Sequence, residues 1–285
     1  MRVAIVCLGY LGNPSGIDVL AEYFSGMDVD LYVHIDAKID ISPYADLSSK
    51  RSNVTLLSER RPIFWGGFSI VRAIVGGLET ANATRSDYTR FFVLSEDTIP
   101  LRSRAEMWER ATSSEEFFWS LPAPAELRAA RYDKFCYPDS PATSLRGVRM
   151  DSCSLSPSDF ENIRRLLALH GRGKAPVNVL HHGPGWWGLS KPHVERLLAA
   201  YHGDPWLRES FEFSLVPEEQ YFHTILGEIP NSSGGAVFAD FSRDLRPHVY
   251  RTADEIISAK TGRHLFLRKV ALGEPVIAEF VRFLG

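Results

Sequence analysis

The chain predicts an α/β fold: a mostly parallel central sheet flanked by helices. Three observations carry that expectation. Val3 to Leu8 is an unbroken apolar run, the pattern of a strand buried on both faces. Apolar runs and helical stripes then alternate through the first hundred residues. Polar residues, Asp36 and Ser95-Glu96-Asp97, close two of those runs, where open parallel sheets bind ligands.

The elements follow in order. After Val3 to Leu8 come a turn with Gly9, Gly12, Asn13, Pro14 and Gly16 and a helix over Ile17 to Phe24. The glycine spacing is not G-x-G-x-x-G, which weighs against a dinucleotide-binding dehydrogenase. Leu31 to Asp36 is a second strand and Val54 to Leu57 a third. Phe68 to Thr80 is a helix introduced by Trp65-Gly66-Gly67, and Arg90 to Leu94 is a fourth strand with Pro100 closing its turn. Glu116 to Ser120 reads as a further strand, and Ala123 to Met150 as irregular. A helix is expected over Asp159 to Leu169, preceded by Pro157 and followed by Gly171. Gly183 to Leu189 is glycine-rich with two tryptophans, and His193 to Tyr201 is helical.

Ser214 to Leu226 is the stretch around which the rest is organised. Pro217 suits the first position of a helix. Glu218 and Glu219 then fall in its first turn, where the dipole favours negative charge. Tyr221, Phe222, Ile225 and Leu226 form the apolar stripe that anchors it. Asn231 to Gly235 is a loop, Ala236 to Phe241 a strand, and a basic tail from Arg243 to Lys269 leads to a helix near Glu274 to Leu284. No repeat or linker divides residues 1–285, so one domain is expected.

Composition narrows the function classes. With 45% hydrophobic residues, 24% charged and a net charge of −3, nothing calls for nucleic acid or an anionic membrane. No run reaches the length of a membrane span. Met1 to Leu8 superficially resembles a signal peptide but lacks a small-residue cleavage site, and a buried strand explains it better. Cys7, Cys136 and Cys153 are too few for a disulfide framework, although Cys136 and Cys153 would pair if close. Six Trp, ten Tyr and seventeen Phe suit either a sugar-binding cleft or a large core.

Six segments, in order, carry a more specific signal. They are Val33-His-Ile-Asp-Ala-Lys38, Phe64-Trp-Gly-Gly-Phe-Ser69, Tyr88 to Pro100, Gly185-Trp-Trp-Gly-Leu-Ser190, Pro217-Glu-Glu-Gln-Tyr-Phe222 and Leu265-Phe-Leu-Arg-Lys269. Together they resemble the core-2/I-branching enzyme family, which includes β-1,6-N-acetylglucosaminyltransferases and peptide O-xylosyltransferases. Ala123 to Lys174 matches poorly and is the expected seat of acceptor choice. The resemblance implies a GT-A-like fold, a UDP-sugar donor, a glycan acceptor, inversion at the anomeric carbon and no divalent metal. It divides the domain into a nucleotide-binding half (1–120), an acceptor and catalytic half (121–242) and a diphosphate-binding tail (243–285). A bacterial cytoplasmic enzyme of surface-polysaccharide synthesis, at most peripheral to the inner membrane, is the expectation.

Residue by residue, the resemblance makes Glu219 the catalytic base, with Glu218 the alternative if the register slips by one. Glu218 stands where the family often has Asp. An inverting transfer needs one carboxylate to take the acceptor proton. The departing diphosphate needs fixed cations or a metal. By resemblance Lys269 is the diphosphate lysine, with Arg251 its partner and Arg246 in reserve; Arg243 and Arg268 complete the basic set, and a solvated surface is the plainer alternative for most of them. Asp36 is a donor contact by resemblance, or a strand-end turn residue. Ser95-Glu96-Asp97 departs from the family's Gly-Gln-Asp, which reopens the metal question. Glu96 and Asp97 are then metal ligands, sugar contacts or loop braces. Trp186 and Trp187 either stack on sugar or fill the core. Arg128 and Arg131 are acceptor-side candidates. His34 with Asp36, His181-His182 and the misplaced Asp28-Val-Asp30 are weak metal candidates. Two other readings stand beside the metal-independent enzyme: a metal-dependent GT-A transferase using Ser95-Glu96-Asp97, and a non-catalytic sugar- or nucleotide-binding protein on the same fold.

Overall fold

Among the described residues ten strands organise the fold: β1 (Arg2–Gly9), β2 (Val29–Ile35), β3 (Val54–Leu56), β4 (Tyr88–Ser95), β5 (Ile99–Pro100), β6 (Leu121–Pro122), β7 (His181–His182), β8 (Gly188–Ser190), β9 (Val237–Ala239) and β10 (Phe266–Arg268). The computed structural model describes residues 1–144, 155–242, 244, 246–259, 262–271, 279–282 and 284. Cys153 and Arg243 lie outside the described residues, as does most of the expected last helix, of which 279–282 are helical.

The main sheet has the order β3-β2-β1-β4-β8. β1 lies parallel to β2 and β4, β2 parallel to β3, and β8 closes the edge antiparallel to β4. β1 sits at the centre because both its faces are apolar. Val3, Ile5 and Cys7 point into one core, and Ala4, Val6 and Leu8 into the other. The first core receives the helix Ser15–Tyr23 and part of the tail. The second receives the helices Ser69–Thr84 and Lys191–Gly203. Gly188 lets β8 join the sheet: a β-carbon there would stand 2.2 Å from the Phe92 ring.

A second sheet has the order β5-β10-β9, with β10 antiparallel to β5 and parallel to β9. The tail is therefore built into the body. Similarly, β8 completes a sheet begun by the first hundred residues. Among the described residues no helix is long and apolar enough to cross a membrane.

Four expectations need correction. Glu116 to Ser120 is not a strand. Glu116 pairs with the loop at Asn231 and Ser233, and Phe117 with Gly188, as isolated bridges. Its side chain turns inward to a buried ion pair with Arg90 at 2.9 Å. The helix expected over Asp159 to Leu169 runs Pro157–Arg172; Ser156 and Asp159 form a capping box, and Gly173 at φ 81° ends it. The strand expected over Ala236 to Phe241 is only Val237–Ala239. The fourth correction concerns the acidic stretch.

Candidate active site

Ser214 to Leu226 does not form a single helix from Pro217. Val216 adopts a left-handed conformation (φ 53°), rare for a β-branched residue. Its N–H donates to Gly66 O at 2.9 Å, which ties the turn to the Phe64-Trp-Gly-Gly loop. Pro217–Glu219 is one 3₁₀ turn, Gln220 breaks it (φ −137°, ψ −43°), and only Tyr221–Leu226 is α-helical. The break persists because the Gln220 side chain is buried and donates to the carbonyls of Leu215 (2.9 Å) and Val216 (3.0 Å). The helix dipole is thus not what orients the two carboxylates.

Local partners orient them instead. Glu219 Oε2 pairs with Arg131 Nη1 at 2.5 Å, and Gly183 N–H donates to Glu219 O at 3.0 Å. Arg131 is carried on a wide π-type turn, Ala129–Asp133. Two features dock that turn: Leu215 N–H donates to Arg131 O at 2.9 Å, and the Lys174 ammonium bridges it to the acidic stretch. Lys174 Nζ donates to the carbonyls of Tyr132, Lys134 (2.9 Å) and Phe213 (3.0 Å) and to Ser214 Oγ (2.7 Å). Burial draws this lysine down to about 7, opposed by the charge of Asp133.

Glu218 faces the other way. The residue as a whole is half-buried, but its Oε2 is sealed from water and has no hydrogen-bond partner. Gly185 makes room for it, since a β-carbon there would lie 3.1 Å from Glu218 Cγ. Burial, and then the charge of Glu219, push its carboxyl up to about 8. Glu218 therefore holds a proton at neutral pH. Ionising it in the fold costs stability: that cost is absent below the unfolded value near 4.5 and grows in as pH rises to about 8. Glu218→Gln removes that slope. Denaturant unfolding at pH 5 and pH 8 should show a stability loss of a few kcal/mol in the wild type, on the order expected from the shift, and a smaller one in the variant. Equal losses in both proteins would mean that Glu218 is not protonated in the folded state.

A second cluster forms where β4 ends. Asp97 is buried and accepts from Ser95 Oγ (2.5 Å) and Tyr10 OH (2.7 Å). Lys269 Nζ lies 3.4 Å from Asp97 Oδ2 and 3.2 Å from Tyr10 OH; Arg268 Nε lies 3.6 Å from Asp97 Oδ1. Burial alone would raise the Asp97 carboxyl, but Arg268, Lys269, Ser95 and Tyr10 outweigh it and hold it below its usual range. Two cations thus meet one carboxylate. Glu96 is fully buried and accepts from the N–H groups of Tyr10 and Leu11 and from Tyr44 OH (2.8 Å). It braces the turn after β1 with no surface exposed, so of the roles expected of it the loop brace holds and the sugar contact does not. The oxygens of both carboxylates are occupied by protein donors. Among the described residues no three His, Cys, Asp or Glu side chains converge as a metal-ligand set. Asp28 and Asp30 pair with Arg2.

The remaining candidates separate clearly. Trp187 is core, 1% exposed and edge-on to Phe118 and Phe222, so the sugar-stacking role expected of it is excluded. Trp186 is half-buried, with the Arg268 guanidinium 4.8 Å from its ring centroid. Asp36 accepts from Lys38 N (2.9 Å), Lys38 Nζ (2.5 Å) and Ile63 N (3.3 Å). Arg128 is tied to Val177 O (2.8 Å) and Asp133 (3.3 Å). Arg246 and Arg251 are exposed. Arg251 follows Tyr250, whose backbone pairs with Lys269 and Ala271 (2.8 and 2.9 Å), so this stretch runs beside the cation pair.

One short run connects the two clusters. Gly183 holds the Glu219 backbone, Gly185 packs on Glu218, and Trp186 stacks on Arg268. Tyr10 and Lys174 belong to the site's framework and were not expected from the sequence; neither stands in a motif, and only the fold brings them in.

The family model for Core-2/I-Branching enzymes matches residues 11–240. The chain belongs to that family of glycosyltransferases. Five of the six segments noted above fall inside the match, and Leu265 to Lys269 lies beyond it. No curated protein matches the chain in sequence.

Proposed function

We propose that the chain is an inverting, metal-independent GT-A glycosyltransferase that moves a sugar such as N-acetylglucosamine or xylose from UDP to a glycan hydroxyl. The observation that carries this reading is the run 183–187, which links the acidic turn to the cation pair on Asp97. Base and leaving-group stabiliser must flank one reacting carbon, and this run supports such an arrangement.

In this reading Glu219 accepts the acceptor proton as the hydroxyl oxygen bonds to the anomeric carbon. The bond from that carbon to the diphosphate oxygen breaks with its electrons, and UDP leaves. Lys269 and Arg268, with Arg251 alongside, meet the charge that grows on the diphosphate. Arg131, paired with its Oε2, keeps Glu219 aimed until the acceptor hydroxyl arrives. Glu218, protonated, adds no second negative charge to the turn. Synthesis of a bacterial surface polysaccharide in the cytoplasm is the setting we propose.

The test is incubation with UDP-sugars and a panel of glycan acceptors in excess chelator, following UDP release and the product's anomeric configuration by NMR. Release should be undiminished by chelator, and the configuration should be opposite to that of the donor. Retained configuration, or loss in chelator with rescue by Mn²⁺ or Mg²⁺, would overturn the proposal. Binding of UDP-sugar without transfer would favour the non-catalytic reading.

A further inference from the structure

We propose that Trp119 and His182 form a subsite for a pyranose ring of the acceptor glycan, beside Glu219; the inference rests on the transferase reading only in naming that ring an acceptor. Trp119 is the exception in its own segment. Phe117, Phe118 and Ser120 are buried, whereas Trp119 is 43% exposed. Its backbone packs closely on the glycine run: its carbonyl occupies the space that a β-carbon on Gly183 would fill, 2.0 Å away. The pairing of β6 with β7 sets Leu121 opposite His182. The indole then stands edge-on to the His182 imidazole, with centroids 6.0 Å apart and planes at 77°. His182 directly precedes Gly183, whose N–H holds the Glu219 carbonyl. A solvent-facing indole therefore packs on the residue next to the contact that fixes the candidate base.

The chemistry of the pair suits a sugar. An indole face offers apolar area of the right size for the C–H face of a pyranose, at little cost in side-chain freedom. The imidazole is half-buried. Burial, then the charge of Arg131, lower its proton affinity against the pull of Glu219. A neutral imidazole has one donor and one acceptor nitrogen, which matches a hydroxyl that both gives and takes a hydrogen bond.

The test uses the full chain in two measurements: binding of simple methyl glycosides by saturation-transfer NMR, and transfer kinetics with acceptor and donor varied separately. Trp119→Ala should raise the acceptor KM about tenfold or more, the effect of losing one stacked ring, and abolish glycoside binding. The donor KM should stay within about twofold. Trp119→Phe should recover most of the loss, which separates stacking from misfolding. His182→Ala should weaken the same glycosides and narrow the range of those bound. Unchanged glycoside binding and acceptor KM in Trp119→Ala would overturn the subsite. Glycoside binding lost in Trp119→Ala, in a wild type that transfers nothing, would uphold the subsite and refute the transferase reading.

Discussion

Glu219→Gln should lower transfer by ~10²–10⁴-fold, the range for a positioned acid or base, while leaving the fold and UDP-sugar affinity close to wild type. The amide keeps the size of the carboxylate and an oxygen for Arg131, so the turn stays in place. It has no basic oxygen to take a proton. Structural damage is expected to be small because Glu219 is exposed on one side and its backbone, not its side chain, bonds to Gly183. Glu218→Gln should be much milder near neutral pH, since a protonated carboxyl and an amide are both neutral there. Steady-state kinetics at pH 7 for both variants decide the assignment. A Glu219→Gln enzyme with most of its activity would remove that residue from the base role. The reverse ranking would give the role to Glu218.

Lys269→Ala should reduce kcat by ~10²–10³-fold, as expected for loss of one donor aimed at developing charge. Donor affinity should fall less, because the diphosphate carries more charge when leaving than when bound. The geometry adds a second expectation. Lys269 already bonds to Tyr10 and pairs with Asp97, so the variant leaves Asp97 with Arg268 as its remaining cation. Lys269→Arg should restore charge but not position, since a planar fork does not fit a point-charge site. Pre-steady-state rates and equilibrium binding of UDP separate the two effects. A variant weakened only in UDP binding, with its rate at saturation unchanged, would make Lys269 an anchor rather than a transition-state stabiliser.

The sheet was legible from the sequence where apolar runs were long. β1, β2 and β4 are buried on both faces and read as continuous hydrophobic segments. β8 and β10, three residues each, lack a periodic signal and are strands only because β4, β5 and β9 are already there. The break at Gln220 was hidden for a different reason. Glutamine is a good helix former, and what breaks the turn is a side-chain clamp to Leu215 and Val216 that exists only in the folded chain. The two adjacent tryptophans illustrate the same limit: composition alone does not say that Trp187 faces the core and Trp186 the cation. The association of Asp97 with Lys269 crosses more than half the chain. No spacing rule announces it; the resemblance suggested the lysine, and the fold supplied Asp97 and Tyr10 as its neighbours.

β10 is the middle strand of its sheet, yet among the described residues it is the last strand in the chain. A ribosome adds residues one by one, and the earlier parts of a chain fold first. Until residues 266–269 emerge, β5 and β9 have no strand between them and Asp97 has neither of its cations. A buried carboxylate held by the hydroxyls of Ser95 and Tyr10 but by no cation is disfavoured, so the end of β4 is less stable during that interval. The nascent chain therefore holds its acidic turn before it holds the cation pair on Asp97. A fragment that stops short of β10 has Glu218 and Glu219 but neither Arg268 nor Lys269 beside Asp97.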